Sequence, residues 1–439
     1  MSQAERSQVQ STDKQGGKQK LGRYFGLTTA AGLGSILGSG IIISLATTLS
    51  LWQAGLGIDP TQVGILSGAL TFAIAGGSLA GGAIANALGM VTVFNWISVF
   101  YAVGTGLCVF AQNYAMLLAG VIIAGVASGI ELPVTLSVLS HDAPDNAIQS
   151  QMVSYTQMFW MIGIGIAALV GFTTSAMVPP NGARVQFAIL AVIAVVAWIW
   201  RLVSPKFRQL HREGDAMSER KAAEAAAASA GVKPKVGILT IFRGTENRKY
   251  VLFLVAIFLF YALWNLLANT WGQFQTYLLV SSGASQTLAT GAGLVLTVVS
   301  IVLSPIFINV VSSKWRTVGY MIGAVLQIAA LVLMAAGGGV LWLIVAGLLL
   351  NNLGSPLAGE MLYKVWTQES FPEEVRTSIQ GVTNGISRLL CALFAMITPM
   401  LVQPERLVGT LWCFVVVMCV SMLLGGVVIA LQKKYGIER

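Results

Sequence analysis

The sequence predicts an all-α, polytopic membrane protein whose twelve membrane-spanning helices form two six-helix halves. Of its 439 residues, 56% are hydrophobic and only 10% are charged, whereas a soluble protein carries about 25% charged residues. The 48 glycines are typical of membrane helices that approach one another through small residues. Apolar segments also recur along the whole chain at the length of about 20 residues that a helix needs to cross a bilayer.

Short polar or glycine- and proline-rich turns separate these apolar segments. We predict membrane spans at residues 25–53, 61–85, 91–111, 114–139, 151–176, 184–203, 250–280, 288–311, 317–337, 340–367, 377–402 and 406–432. The chain is thereby divided into an N-terminal tail (1–24), a six-helix bundle (25–203), a linker (204–249), a second six-helix bundle (250–432) and a C-terminal tail (433–439).

Lysine and arginine are concentrated in the two tails and in the linker, where the basic cluster begins at Arg201. The loops of the opposite face carry essentially Arg184 and Arg406. Because cytoplasmic loops hold the excess of positive charge, we expect a bacterial inner-membrane protein with both termini in the cytoplasm. The linker stretch SERKAAEAAAASAG has no apolar stripe, which favours a solvated helix or a partly ordered tether.

Composition and motifs exclude several function classes. The net charge of +9 is gathered at the predicted cytoplasmic face and does not indicate nucleic-acid binding. No GxxxxGK[ST] loop occurs, which argues against an ATP-driven pump, and no nucleophile–base pair predicts an enzyme. The cysteines lack CxxC spacing, and His141 and His211 lie in unrelated polar turns. We therefore expect no metal and no cofactor, and a monomer whose partners are a small polar solute, a proton and the lipid bilayer.

The two halves share a pattern. In each half, a glutamate follows a run of small residues and precedes a proline of the next turn. Glu131 precedes Pro144 by 13 residues, and Glu360 precedes Pro372 by 12. An asparagine also ends the second segment of each half, Asn86 in the first and Asn309 in the second. Two six-helix repeats joined by a long loop resemble the major facilitator superfamily. That resemblance implies transport by alternating access, with the halves rocking about a central site.

Two motifs resemble the sugar-porter branch of this superfamily. FPEEVR, preceded by Glu369, is similar to the E-x-F-P-x-x-x-R turn after the tenth helix, and VSYTQM is similar to the fifth-helix segment whose glutamine contacts sugar. The resemblance implies a sugar contact at Gln157 and, with the seventh-helix pattern anchored on Gly283, another at Asn269. It also implies a cytoplasmic gate formed by Asn86, Asn309, Arg316, Glu369 and Arg376.

The chain departs from the sugar porters at charged positions. Met90 and Val91 replace the cations of the inner-loop motif, and no aspartate occurs near Gly38 in the first helix. Two pocket tryptophans of the family map onto Lys364 and Arg388, and cations favour carboxylate, sulfonate or phosphate groups over neutral sugar faces. This mapping indicates an acidic sugar or a similar anion, although a shift of two residues would place Trp366 at the first position.

Charged residues inside predicted spans are candidate functional residues because charge in a membrane is costly. Glu360 and Lys364 are spaced i,i+4, so they form either a neutral pair that helps insertion or a functional pair. Arg388 lies deeper and requires a partner, which could be Glu360, a substrate anion or backbone carbonyls. Glu131 is either a structural hydrogen-bonding residue or a proton site, and with Glu360 it is our proton-coupling candidate.

Amides and aromatic rings suit a polyhydroxylated ring, and segment seven offers Trp264, Asn265 and Asn269. Tyr155 and Gln157 in segment five and Asn384 in segment eleven could complete the site, although each amide alone is explained equally well by a helix–helix hydrogen bond.

We therefore predict a secondary active transporter of a sugar or polyol, with acidic sugars included, and proton symport in preference to uniport. One alternative is a transporter or exchanger of organic acids or organic phosphates that uses Lys364 and Arg388. A third interpretation, a non-transporting membrane sensor on the same fold, would be expected to carry extended soluble tails.

Overall fold

The computed structural model describes residues 3–144, 146–228, 248–311 and 313–437, and this part of the chain is all-α. Its helices are α1 (Gln3–Leu56), α2 (Pro60–Leu88), α3 (Met90–Val109), α4 (Tyr114–Asp142), α5 (Asn146–Thr173), α6 (Asn181–Val203), α7 (Pro205–Ala228), α8 (Arg248–Ser281), α9 (Gln286–Val311), α10 (Arg316–Ala336), α11 (Leu341–Gly354), α12 (Glu360–Ser370), α13 (Glu373–Leu401) and α14 (Pro404–Lys434). Within these ranges, 11 helices are long and apolar enough to cross a membrane, and α11 is a shorter apolar helix. The predicted all-α membrane fold is confirmed.

The predicted tenth segment (340–367) is two helices, α11 and α12, so its continuity was predicted wrongly. The turn 355–359 separates them and contains Pro356, which has no N–H to donate to a helical hydrogen bond. The carbonyl of Ala358 instead accepts the side-chain N–H of Gln327 at 3.0 Å. Because Gln327 is buried in α10, this non-helical backbone is satisfied inside the protein, as membrane depth requires.

Helix α7 occupies the first half of the predicted linker and packs against α4. Phe207 and Leu210 are buried, and a Cβ at Gly214 would come within 2.6 Å of both the His141 ring and the Asp142 carboxylate. This part of the linker is therefore docked rather than solvated. The stretch predicted to be solvated begins with exposed residues 218–220, and its end after Ala228 lies outside the described residues.

The chain forms two compact units. Unit 1 comprises Met1–Ser44, Phe72–Ala167 and Arg184–Val232, and unit 2 comprises Leu45–Thr71, Ala168–Ala183 and Lys233–Arg439. Within unit 2, Ser50 of α1 donates to Gln286 of α9 at 2.6 Å, and Ser175 donates to Thr287 at 3.0 Å. The compact units thus differ in their boundaries from the ranges 25–203 and 250–432, whose pseudo-symmetric equivalence stays a prediction.

Glycine sets the distance between α3 and α4 in unit 1. A Cβ at Gly104 would lie 2.8 Å from the carbonyl oxygen of Gly120 and would overlap the backbone nitrogen of Ala124. Gly106 on the same helix has open space, with nothing within 4 Å of a Cβ. Two glycines two residues apart therefore differ completely in the room that each can give to a side chain.

We expect Gly104→Ala to lower the Tm of the purified protein, because overpacking of a close contact costs about 1–3 kcal/mol. Gly106→Ala is the matched control and should leave the Tm unchanged or raise it slightly, because alanine favours helix over glycine. Thermal unfolding in detergent measures both. Equal Tm values for the two variants would contradict a close crossing at Gly104.

Candidate functional site

A row of polar side chains on α8 faces α13 in unit 2. Tyr261 donates its hydroxyl to Asn384 Oδ1 at 3.2 Å, and the amide of Asn265, one turn further on, donates to Ser387 Oγ at 2.9 Å. Asn265 and Asn384 are each half-buried, so both retain surface that other groups can reach. The structure therefore brings near each other two amides, Asn265 of segment seven and Asn384 of segment eleven, that the sequence analysis assigned to one site.

Tyr261 also forms the aromatic part of this face. Its ring is stacked on that of Tyr363 of α12, with centroids 3.8 Å apart and an interplanar angle of 11°. Sequence reasoning missed both tyrosines, although Tyr261 precedes Asn265 by one helical turn and Tyr363 directly precedes Lys364. The predicted Trp264 is buried and donates its indole N–H to Gln327 at 3.0 Å, so its polar group is already occupied.

Asn269 lies one turn beyond Asn265 and belongs to a hydrogen-bond chain. Its Oδ1 accepts the amide of Gln273, and Gln273 also bonds Ser67 Oγ and, at 3.2 Å, Thr71 Oγ1 of α2. Because Gln273 is buried, this chain closes the polar row at one end. Asn269 itself remains half-buried.

The charged candidates of unit 2 differ in their pairing. Lys364 Nζ lies 2.8 Å from Glu360 Oε1, and the exposed fractions of these side chains are 53% and 47%. Arg388 is exposed and has neither a hydrogen bond nor a salt bridge to any side chain that the structure describes. Ionisable residues of membrane helices face protein or water rather than lipid. These three residues therefore mark the water-facing side of α12 and α13.

In unit 1 a buried ion pair joins Arg201 of α6 to Glu131 of α4. Arg201 Nη2 lies 2.6 Å from Glu131 Oε1, and the exposed fractions of the two side chains are 0% and 8%. The sequence analysis counted Arg201 as the first basic residue of the linker cluster, whereas the structure places it in α6 and buries it. Its position inside the predicted segment 184–203 was the signal that a buried partner was needed.

Oxygen atoms from neighbouring helices surround the Arg201 guanidinium. Nη1 donates to the carbonyl of Phe94 at 2.8 Å and to Ser98 Oγ at 3.2 Å, and Nη2 donates to the carbonyl of Ala30 at 2.8 Å. Its Cζ also lies 4.0 Å from the centroid of the Phe94 ring. Because arginine keeps its charge in proteins, Glu131 supplies the counter-charge that makes this burial tolerable.

The surroundings of Glu131 are polar and tight. Thr135 donates its hydroxyl to Oε1 at 3.0 Å, and a Cβ at Gly34 of α1 would overlap the carboxylate. Beside it lies a cleft of about 10 Å³ lined in part by Ser35, Ser128 and Trp160, which is the volume of roughly one water molecule. Glu131 is therefore held firmly, with room for a single water.

The other predicted residues of unit 1 lie apart from this pair. Gln157 is exposed, and Tyr155 is half-buried, with its ring edge-on to that of Phe25 at a centroid distance of 6.4 Å. Among the described residues, neither side chain forms a hydrogen bond, an ion pair or a ring contact with Glu131 or Arg201. Their predicted role in solute binding stays a prediction.

Two of the five predicted gate residues form an ion pair in unit 2. Arg316 Nη1 lies 2.8 Å from Glu369 Oε2 and 3.0 Å from Oε1, which joins the start of α10 to the end of α12. Asn86 and Asn309 are exposed. The side chain of Arg376 lies outside what the structure describes.

We expect Glu131→Gln to lower the free energy of unfolding by about 3–5 kcal/mol, because removing one partner leaves a buried, uncompensated charge. Combining it with Arg201→Met should restore much of this loss, since the double variant leaves no buried charge without its partner. Detergent-unfolding midpoints of the single and double variants measure this coupling. Strictly additive losses would show that the pair is not energetically linked.

The chain matches the family model of the Major Facilitator Superfamily over residues 24–396. It is 27% identical over 394 residues to a minor myo-inositol transporter of Bacillus subtilis (strain 168), which covers 85% of this chain and 84% of that protein. It is 28% identical over 179 residues to a niacin transporter of Acinetobacter baylyi, and this alignment covers 40% of this chain and 39% of that protein.

Among solved structures, a D-xylose–proton symporter has the same fold, with a TM-score of 0.70 at 15% identity over 91% of this chain and 96% of that one. A nucleoside transporter gives a TM-score of 0.65 at 16% identity, with 93% and 99% covered. The family match over most of the sequence and these shared folds lead to one conclusion: the chain belongs to the Major Facilitator Superfamily of membrane transporters.

Proposed function

We propose that this transporter is a proton symporter for a small ring-shaped sugar or polyol in the bacterial inner membrane. The observation that carries the proposal is the face formed by Tyr261, Asn265, Tyr363 and Asn384 in unit 2. It combines half-buried amides with a stacked pair of tyrosine rings.

The chemistry of this face suits a polyhydroxylated ring. An asparagine amide offers both donors and an acceptor, and each sugar hydroxyl both donates and accepts. The C–H faces of such a ring pack against aromatic rings, which contribute apolar contact without further hydrogen bonds. The face therefore recognises the pattern of hydroxyls more than any single charge.

Similarity to named transporters supports the same class. The relative that aligns over 84% of its own length is named for myo-inositol, a small cyclic polyol, and the D-xylose–proton symporter shares the fold.

Basic residues in the tails and linker support a topology with both termini inside. We place the pair Arg316–Glu369 in a cytoplasmic gate, where it would hold α10 against α12 until a conformational change separates them.

For the coupling proton, we favour Glu360 over Glu131. Glu360 is 47% exposed and forms an ion pair with Lys364. Water can therefore deliver a proton to its carboxylate, and this exposed ion pair breaks at little cost. Glu131 is fixed by Arg201 and Thr135, and a proton there would leave a buried arginine without its counter-charge.

A second candidate function is transport of a monoanion such as a sugar acid. It is favoured by Arg388, which lacks a described ion-pair partner although Lys364, the other cation, has one. A planar guanidinium on the water-facing side of a membrane helix pairs well with a carboxylate. The partial alignment with a niacin transporter is compatible with this alternative.

We expect Asn384→Ala and Asn265→Ala to raise the KM for the solute about tenfold, because each lost hydrogen bond contributes roughly 1.5 kcal/mol. Uptake into proteoliposomes should be measured with myo-inositol, D-xylose and a sugar acid. Gln368→Ala is the control, because this amide is exposed and its hydrogen bond among the described residues is to the Gln380 side chain at 3.2 Å.

Arg388→Gln in the same assay separates the two candidates. Unchanged uptake of a neutral polyol by this variant supports the sugar or polyol transporter. Selective loss of sugar-acid uptake supports the transporter of a monoanion. Failure of every solute in the panel, with the folded protein confirmed, would contradict both.

We expect an outside-acid pH gradient to drive solute accumulation, and Glu360→Gln to abolish accumulation while solute exchange at equal pH continues. The reason is that exchange needs only the solute site, whereas accumulation needs the proton site. Lys364→Met should lose accumulation less completely. If Glu131→Gln, and not Glu360→Gln, lost accumulation selectively, Glu131 would be the proton site. If the pH gradient had no effect on accumulation in the unmodified protein, symport would be contradicted.

A further inference from the structure

The chain contains 2 histidines, and the structure brings both to one buried aspartate. His141 Nδ1 lies 2.8 Å from Asp142 Oδ1, and His211 Nδ1 lies 2.5 Å from Asp142 Oδ2. His141 and Asp142 end α4, whereas His211 comes from α7. The expectation that the histidines lie in unrelated turns is therefore wrong, because the docking of α7 joins them.

His141 faces carboxylates with both ring nitrogens. Its Nε2 lies 3.3 Å from Asp215 Oδ1 of α7, opposite the contact of Nδ1 with Asp142. Ionised carboxylates only accept hydrogen bonds, and a neutral imidazole donates from only one nitrogen. Both contacts are therefore satisfied together only when His141 carries an additional proton. Asp142 has an exposed fraction of 0%, so it gains most from a positive neighbour.

We propose that His141, Asp142, His211 and Asp215 form a proton-binding clamp that fastens α7 to α4. With His141 protonated, its charge bridges one carboxylate on each helix. When the proton leaves, one of these hydrogen bonds is lost and Asp142 loses the positive charge of His141. Histidine is the side chain that changes charge between about pH 5 and 8.

Other charged groups on the packed elements have partners of their own or are solvated. Glu213 of α7 pairs with Arg23 of α1 at 2.5 Å, and Arg208 and Arg212 are exposed. The Phe94 ring of α3 meets the edge of His211 at a centroid distance of 6.4 Å. Beyond that ring, Arg201 is already neutralised by Glu131. Among the described residues, the histidine–aspartate cluster is the part of this contact that contains histidine.

The direction of the pH effect follows from proton binding. Only the docked state places His141 between carboxylates on both helices. A proton on His141 therefore favours docking, which strengthens as the pH falls and weakens as the pH rises. Helix α7 directly follows α6 and leads to α8. Undocking therefore releases the segment that directly follows α6, on the side where the sequence predicts the cytoplasm.

The test is backbone hydrogen exchange of residues 205–228 in the purified full chain at pH 6 and pH 8, corrected for intrinsic exchange rates. We expect protection in the unmodified protein to fall about fivefold at pH 8, the lower end of typical coupling energies. His141→Gln and Asp215→Asn should remove this pH dependence. Both positions are partly exposed, at 17% and 65%, so these variants should fold.

Arg23→Gln is the matched control, because it weakens another contact of α7, the ion pair with Glu213, that contains no histidine. It should lower protection equally at both pH values and keep the fivefold ratio. Full pH dependence in His141→Gln, or none in the unmodified protein, would overturn the proposal. No solute is present, so the outcome does not depend on the proposed transport function.

Discussion

The cost of leaving a charge or a hydrogen-bonding group unpaired in hydrocarbon governs how the helices of this transporter are arranged. Arg201 shows it most clearly, because carbonyl oxygens of α1 and α3, a serine hydroxyl and the Glu131 carboxylate all converge on it. Gln327 meets the same requirement in unit 2, where it satisfies a carbonyl that the broken helix leaves free. Each polar group of this kind fixes several helices at once.

This constraint also separates structural polar residues from candidates for solute binding. Trp264 and Gln273 are buried and fully engaged with neighbouring side chains, so they hold helices together. Asn265, Asn384 and Arg388 keep exposed surface on a membrane-spanning helix, which is tolerable only towards water. A polar residue that remains accessible at membrane depth has a reason other than folding to be there.

Much of the fold followed from sequence because apolar length and the positions of basic residues are local signals. The partners of polar residues did not follow, because they depend on which helices meet. Glu131 was identified as a costly buried charge, yet its partner lies 70 residues away on α6. His141 and His211 are likewise joined only by the docking of α7, which no periodicity in the linker indicated. Tyr261 and Tyr363 did carry a local signal, because Tyr261 lies one helical turn before Asn265 and Tyr363 directly precedes Lys364.

The break at 355–359 has a mechanical consequence. A continuous helix tilts as one rod, so any displacement at one membrane surface is carried to the other. With α11 and α12 joined by a turn, α12 can swivel while α11 stays in place. The short helix α12 carries Glu360, Tyr363, Lys364 and Glu369. A single swivel could therefore alter the tyrosine stack, the candidate proton site and the candidate gate in one movement.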